Sequence, residues 1–101
     1  MARTRDYLEA LLEALKDPEE AKVYLEVALE QYEEDNDKEA FLLALRNVAE
    51  AQGGLSALAR RTNLNRQNLY RALSPRGNPR LHTIGAILHG LGFRLSVERI
   101  G

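Results

Sequence analysis

Apolar residues recur at a helical period along nearly the whole chain, and each recurrence is cut short by residues that cap or break helices. Tyr7, Leu8, Leu11, Leu12 and Leu15 fall on one stripe, the spacing of a helix with one buried face. The stripe stops at Asp17-Pro18-Glu19-Glu20, where Asp17 can cap a new helix, Pro18 suits its first position and Glu20 suits a capping box. Ala21, Tyr24, Leu25, Ala28, Leu29 and Tyr32 give that second helix its apolar face, which runs out in Glu33-Glu34-Asp35-Asn36-Asp37. Asn36, with Glu39 three residues later, is the expected cap of a third helix built on Phe41, Leu42, Leu45, Val48 and Ala49 and closed by Gly53-Gly54. Three shorter helices are expected over residues 55–62, 66–73 and 81–90. Ser74-Pro75 ends the fifth, because a residue before proline avoids helical torsions. Leu81, Ile84, Ile87, Leu88 and Leu91 are the expected buried face of the sixth, with Gly90 and Gly92 loosening and ending it. The pattern predicts an all-α fold of five to six short helices.

After residue 92 the period changes. Phe93, Leu95 and Val97 alternate with Arg94, Ser96 and Glu98, which predicts a short C-terminal β-strand. No other segment alternates in this way, and a lone strand leaves its backbone groups unpaired. A second copy of the chain is the obvious supplier of pairing. Antiparallel pairing about Ser96 sets Arg94 of one copy opposite Glu98 of the other. The expectation is a homodimer through Phe93, Leu95 and Val97. The alternative is a tail packed on its own domain.

Charge divides the chain into two regions. Residues 1–50 hold six Lys/Arg against fourteen Asp/Glu, whereas residues 51–101 hold eight Arg against Glu98 alone. The overall net charge of −1 conceals this split. A basic region suggests a nucleic-acid partner, and an acidic one a second, basic partner. The expected organisation is an acidic helical region, 1–50, followed by a DNA-binding region with its C-terminal strand, 51–101. At 101 residues the two are one domain or two closely packed subdomains.

The span Ser56–Leu73 meets the requirements of a helix-turn-helix. Two helices crossing steeply need a small residue at their contact, which Ala59 supplies, and a turn residue that tolerates positive φ, which Asn63 supplies. Leu64 can enter the core, Asn65 can cap the second helix, and Leu58, Leu69 and Ala72 or Leu73 can fill the space beneath. The second helix then presents Arg66, Gln67, Asn68 and Arg71, with Tyr70 on a flank. Arginine makes paired bonds to guanine, and Gln or Asn to adenine, so these four are the candidate base contacts. Arg60, Arg61, Arg76, Asn78 and Arg80 are the candidate phosphate contacts on either side, helped by the first amides of the last helix.

Other chemistries find little support. The chain has no Cys, hence no disulfide and no thiolate site. His82 and His89 lie two turns apart, about 10 Å, without an acid cluster, so no metal or cofactor is expected. No Ser is paired with His and Asp in a nucleophilic arrangement, and the chain is not expected to be an enzyme. The N-terminus lacks an apolar signal core and no run reaches membrane-spanning length, so the expected location is cytoplasmic.

Ala59, Asn63-Leu64-Asn65-Arg66 and Leu69 resemble the Xre-type, phage-repressor-like helix-turn-helix. The stretch Leu69–Pro79, with Leu73-Ser74-Pro75-Arg76-Gly77-Asn78-Pro79 and then Leu81 and Thr83, resembles more narrowly the probable addiction module antidote proteins, a HigA-like antitoxin family. Asp17-Pro18-Glu19, Tyr24–Leu29 and Phe41–Leu45 are similar to the N-terminal half of that family, so the resemblance covers about residues 15–98. The leading segment 4–15 stands outside it, as an extra helix. Asn63 replaces a common glycine of the family, and Asn65 a common serine. The resemblance implies a type II antitoxin that autorepresses its operon as a dimer on operator DNA. It also implies neutralisation of a small basic RelE/HigB-like toxin that cleaves mRNA. Glu19, Glu20, Glu26, Glu30, Glu33, Glu34 and Asp35 would then face the toxin, although such residues also serve simply to solvate helices or to form i,i+4 pairs such as Glu34–Lys38. Two rival readings are a stand-alone Xre-family regulator without a toxin and a protein-interaction module that never touches DNA.

Overall fold

The computed structural model describes residues 2–101, with side chains described from residue 5 onward. Among these residues there are six α-helices: α1 (Ala2–Ala14), α2 (Pro18–Asp35), α3 (Lys38–Ala51), α4 (Gly54–Thr62), α5 (Arg66–Ala72) and α6 (Leu81–Gly90). Local chemistry sets their ends. The Asp17 carboxylate accepts from the Glu19 amide, with Pro18 in the first turn of α2. Between α2 and α3, capping differs from expectation. Asn36 adopts a left-handed conformation (φ 57°) and closes α2, while its neighbour Asp37 caps α3 by accepting from the Ala40 amide. Both residue types suit either task. Asn tolerates positive φ better, and the carboxylate is the stronger acceptor, so the pair divides the work.

α3 is the central element. Phe41, Leu42, Ala44, Leu45, Val48 and Ala49 are all buried, and α3 packs against α1, α2 and α4, while α4 in turn carries α5 and α6. One core runs through both halves of the chain, from Leu15, Ala21 and Leu25 to Leu58, Leu69, Leu73, Ile87 and Leu91. No polar or charged side chain is buried among the described residues. Three side-chain bonds tie α3 to its surroundings: Asn47 Nδ2 donates to the Tyr24 hydroxyl at 3.0 Å, Arg46 Nη1 donates to the Leu73 carbonyl at 2.9 Å, and Lys38 Nζ donates to Asn78 Oδ1 at 3.4 Å. The second closes off the C-terminus of α5, where carbonyls lack intrahelical partners.

Several expected core residues face solvent. Tyr7 is 70% exposed and Leu81 73% exposed, and Leu8, Leu29 and Tyr32 are also exposed. Their periodicity is right, but the other described elements cover them only in part. Gly90 does not loosen α6. A Cβ there would stand 2.6 Å from Leu58 Cδ1 and from Thr62 Cγ2, so its bareness lets α6 press onto α4.

The expected C-terminal strand is absent. Residues 93–101 form no regular structure, and no strand exists among the described residues to pair with them. Phe93 packs half-buried against the core, its amide donating to the Leu88 carbonyl at 2.8 Å. Leu95 and Val97 are exposed. Phe93 thus belongs to its own chain's core rather than to an outward strand face.

Gly77 tests this packing. A Cβ at this buried position would fall 2.2 Å from the Ala72 carbonyl oxygen, a helix atom that cannot give way. Gly77→Ala is expected to lower unfolding stability by about 1–3 kcal/mol, read by urea denaturation. An unchanged midpoint would mean the 74–80 turn does not pack as described.

Candidate nucleic-acid interface

α4 and α5 are joined by Asn63-Leu64-Asn65 alone. Asn63 ends α4 in the left-handed region, φ 61°. Leu64 is half-buried against the core, its amide donating to the Thr62 hydroxyl at 3.3 Å. Asn65 caps α5 through its side-chain oxygen, which accepts from the Asn68 amide at 2.7 Å. Leu58 and Leu69 are wholly buried beneath the turn, with Leu73 next to them.

Burial of Leu69 fixes which side of α5 looks outward. Gln67 and Arg71 are one turn apart and lie opposite Leu69, with Arg66 and Tyr70 to one side and Asn68 to the other. All five side chains are exposed. The Arg66 guanidinium lies over the Tyr70 ring, 5.3 Å from its centroid, and donates to the Tyr70 hydroxyl at 3.2 Å. Gln67 and Arg71 have no such side-chain partner among the described residues and are free to bond elsewhere.

The candidate phosphate residues are less uniform. Arg60, Arg76 and Arg80 are exposed and make no ion pair among the described residues. Arg61 is exposed too, but its Nε donates to the Gly90 carbonyl at 2.8 Å, which docks it on the C-terminus of α6. Asn78 accepts from Lys38 Nζ at 3.4 Å. The expected i,i+4 pair of Lys38 with Glu34 does not form, because the chain breaks at Asn36-Asp37 and puts the two residues on different helices. Arg80 stands at the N-cap of α6 without a side-chain cap bond, so the first amides of α6 remain open.

On the acidic side, Glu19, Glu20, Glu26, Glu30, Glu33, Glu34 and Asp35 are all exposed on α2. Glu26 pairs with Lys22 at 3.8 Å, and Asp35 Oδ1 accepts from the Asp37 amide at 2.8 Å. Among the described residues the other five form no salt bridge. Among the described residues no arginine of the basic region forms a salt bridge with them. No group of three or more His, Asp or Glu is placed to hold a metal ion among the described residues, and no described helix is long and apolar enough to cross a membrane.

Residues 7–99 match the family described as "Probable addiction module antidote protein". The chain belongs to this family. The match takes in most of α1, so the leading helix is part of the family's span and not an addition to it. An uncharacterized protein of Haemophilus influenzae is 36% identical over 87 residues, covering 86% of this chain and 84% of that one. No solved structure matches. Membership of an antidote family supports an antitoxin role and implies a toxin as partner.

The turn between α4 and α5 sets the aim of Arg66–Arg71. Asn63→Ala keeps a β-carbon in the left-handed region but removes the short polar side chain that makes asparagine tolerant of it, and is expected to cost about 1 kcal/mol, whereas Asn63→Gly removes the β-carbon and is expected to cost little or nothing. Thermal melting of the two variants separates the outcomes. Equal melting would mean Asn63 does not hold that conformation.

Proposed function

We propose that this antitoxin is a binding protein rather than an enzyme, and that it represses its own operon by binding double-stranded operator DNA. In this reading α4 and α5 are a helix-turn-helix of the Xre type. Arg66, Gln67, Asn68 and Arg71 meet base edges, and Arg60, Arg76, Arg80 and Asn78 meet phosphates, with Arg61 contributing only its remaining guanidinium nitrogens. The observation that carries the reading is the outer face of α5. Gln67 and Arg71, two side chains suited to paired bonds with adenine and guanine, stand exposed and free of internal partners on a short helix held by a buried leucine. The α2 carboxylates are the surface for a small basic RelE/HigB-like toxin, supported by their exposure and by the absence, among the described residues, of salt bridges between them and the chain's own arginines. Two copies assemble into a dimer through residues 95–100. Val97 is 95% exposed there, and Leu95 and Ile100 are also exposed, in a stretch with no pairing partner in its own chain. A dimer places two recognition helices on two half-sites.

Fluorescence anisotropy on the duplex upstream of its own gene tests the DNA half. Gln67→Ala or Arg71→Ala is expected to reduce discrimination between cognate and scrambled duplex by about 1–3 kcal/mol. Arg76→Ala or Arg80→Ala is expected to weaken binding to both duplexes and to reduce the salt slope by about one each. If wild type does not distinguish the duplexes, operator binding is wrong. If Gln67→Ala and Arg71→Ala leave discrimination unchanged, the recognition face is wrong. In sedimentation at micromolar concentration the chain is expected to run as a dimer and Val97→Asp as a monomer. A monomeric wild type would remove the tail contact.

A further inference from the structure

The outer face of α2 is not purely acidic. Val23 is 54% exposed and Val27 49% exposed, one turn apart on the side away from the buried Ala21 and Leu25. At 3.6 residues per turn, Glu19, Glu20, Glu26, Glu30 and Glu34 all lie within about 60° of Val23 around the helix. Two apolar side chains thus occupy the middle of a carboxylate ring. A single exposed valine is ordinary, but this pair is poorly suited to a solvated face. Valine is a weaker helix former than alanine, glutamate or lysine, and nothing among the described residues covers either side chain. α2 packs on α3, which occupies its opposite side.

We propose that Val23 and Val27 are the apolar anchor of the toxin interface, with the surrounding glutamates as its polar rim. The occupant is a basic protein surface carrying a small apolar patch, fitted by the charge of the ring. This rests on the reading of the α2 face as toxin-facing, and it divides that face into two roles. Interface energy concentrates in a desolvated centre, while rim charges chiefly speed encounter. The valines would therefore set how long the complex lasts, and the glutamates how fast it forms.

The test uses the full chain and, as probe, the purified product of the open reading frame next to its own gene, with association and dissociation measured at two salt concentrations. Val23→Ala/Val27→Ala is expected to weaken the complex by about tenfold or more, mainly through faster dissociation, with no fall in the chain's own melting temperature. Glu30→Gln/Glu34→Gln is expected to slow association and flatten its salt dependence, with dissociation little changed. Valine variants that bind within twofold of wild type, while the glutamine variant binds more weakly, would overturn the anchor and leave the acidic face as the toxin surface. A wild-type chain that does not bind the probe would overturn the toxin reading itself. If Val23→Ala/Val27→Ala instead changed the sedimentation of the chain alone, the occupant would be a second copy, and the proposal would fall.

Discussion

Leu45 and Val48 have no accessible surface because other helices close around α3, and the rest of the molecule hangs on that closure. α1 and α2 pack on α3, and so does α4, which positions α5 and α6. Removing such a side chain typically costs about 2–5 kcal/mol for leucine, a large part of the stability of a small domain. The core contains no buried polar group among the described residues. Its specificity therefore comes from shape, as at Gly77 and Gly90, where a single β-carbon would collide with a neighbour.

That core lets one short chain display opposite charges without neutralising them. Among the described residues the arginines of α5 and the 74–80 turn form no salt bridge with the carboxylates of α2, and the described salt bridges are local pairs, Lys16–Glu13 and Lys22–Glu26. Two side-chain bonds tie cations of the acidic half to the basic half, Lys38 to Asn78 and Arg46 to the Leu73 carbonyl. Each surface is thus left to find its charge complement outside the chain, consistent with a family whose members act on a partner.

Sequence alone located features governed by neighbours in the chain. Asp17-Pro18 and Asn63-Leu64-Asn65 do what their side-chain chemistry dictates, because capping and positive φ are local matters. Periodicity also found the buried Ile87 and Leu88, and the packing needs of the turn found Leu58 and Leu69. It failed where the answer lay in the third dimension. The stripes through Tyr7, Leu8 and Leu81 identify a face but not whether anything covers it. Gly90 reads as punctuation until Leu58 is seen against it. The alternation in 93–97 was a true pattern, but a strand is a property of a pair of segments, and one chain supplies only one. The exposed placement of Arg66, Gln67, Asn68 and Arg71 was legible, since a buried Leu69 fixes the rest of α5. The engagement of Arg61 with Gly90 was not, because it links residues 29 apart. The valine pair on α2 carried a signal that charge counting hides: two β-branched residues, one turn apart, on a face otherwise rich in glutamate.

The linkers between the first four helices are also short, namely Leu15-Lys16-Asp17, Asn36-Asp37 and Gln52-Gly53. With one core spanning both halves, there is no slack along which a protease could trim the acidic end and leave the basic end standing. Opening either half withdraws the packing of the other, as expected for a small cooperative domain. Both charged surfaces are therefore expected to be lost together when the chain unfolds.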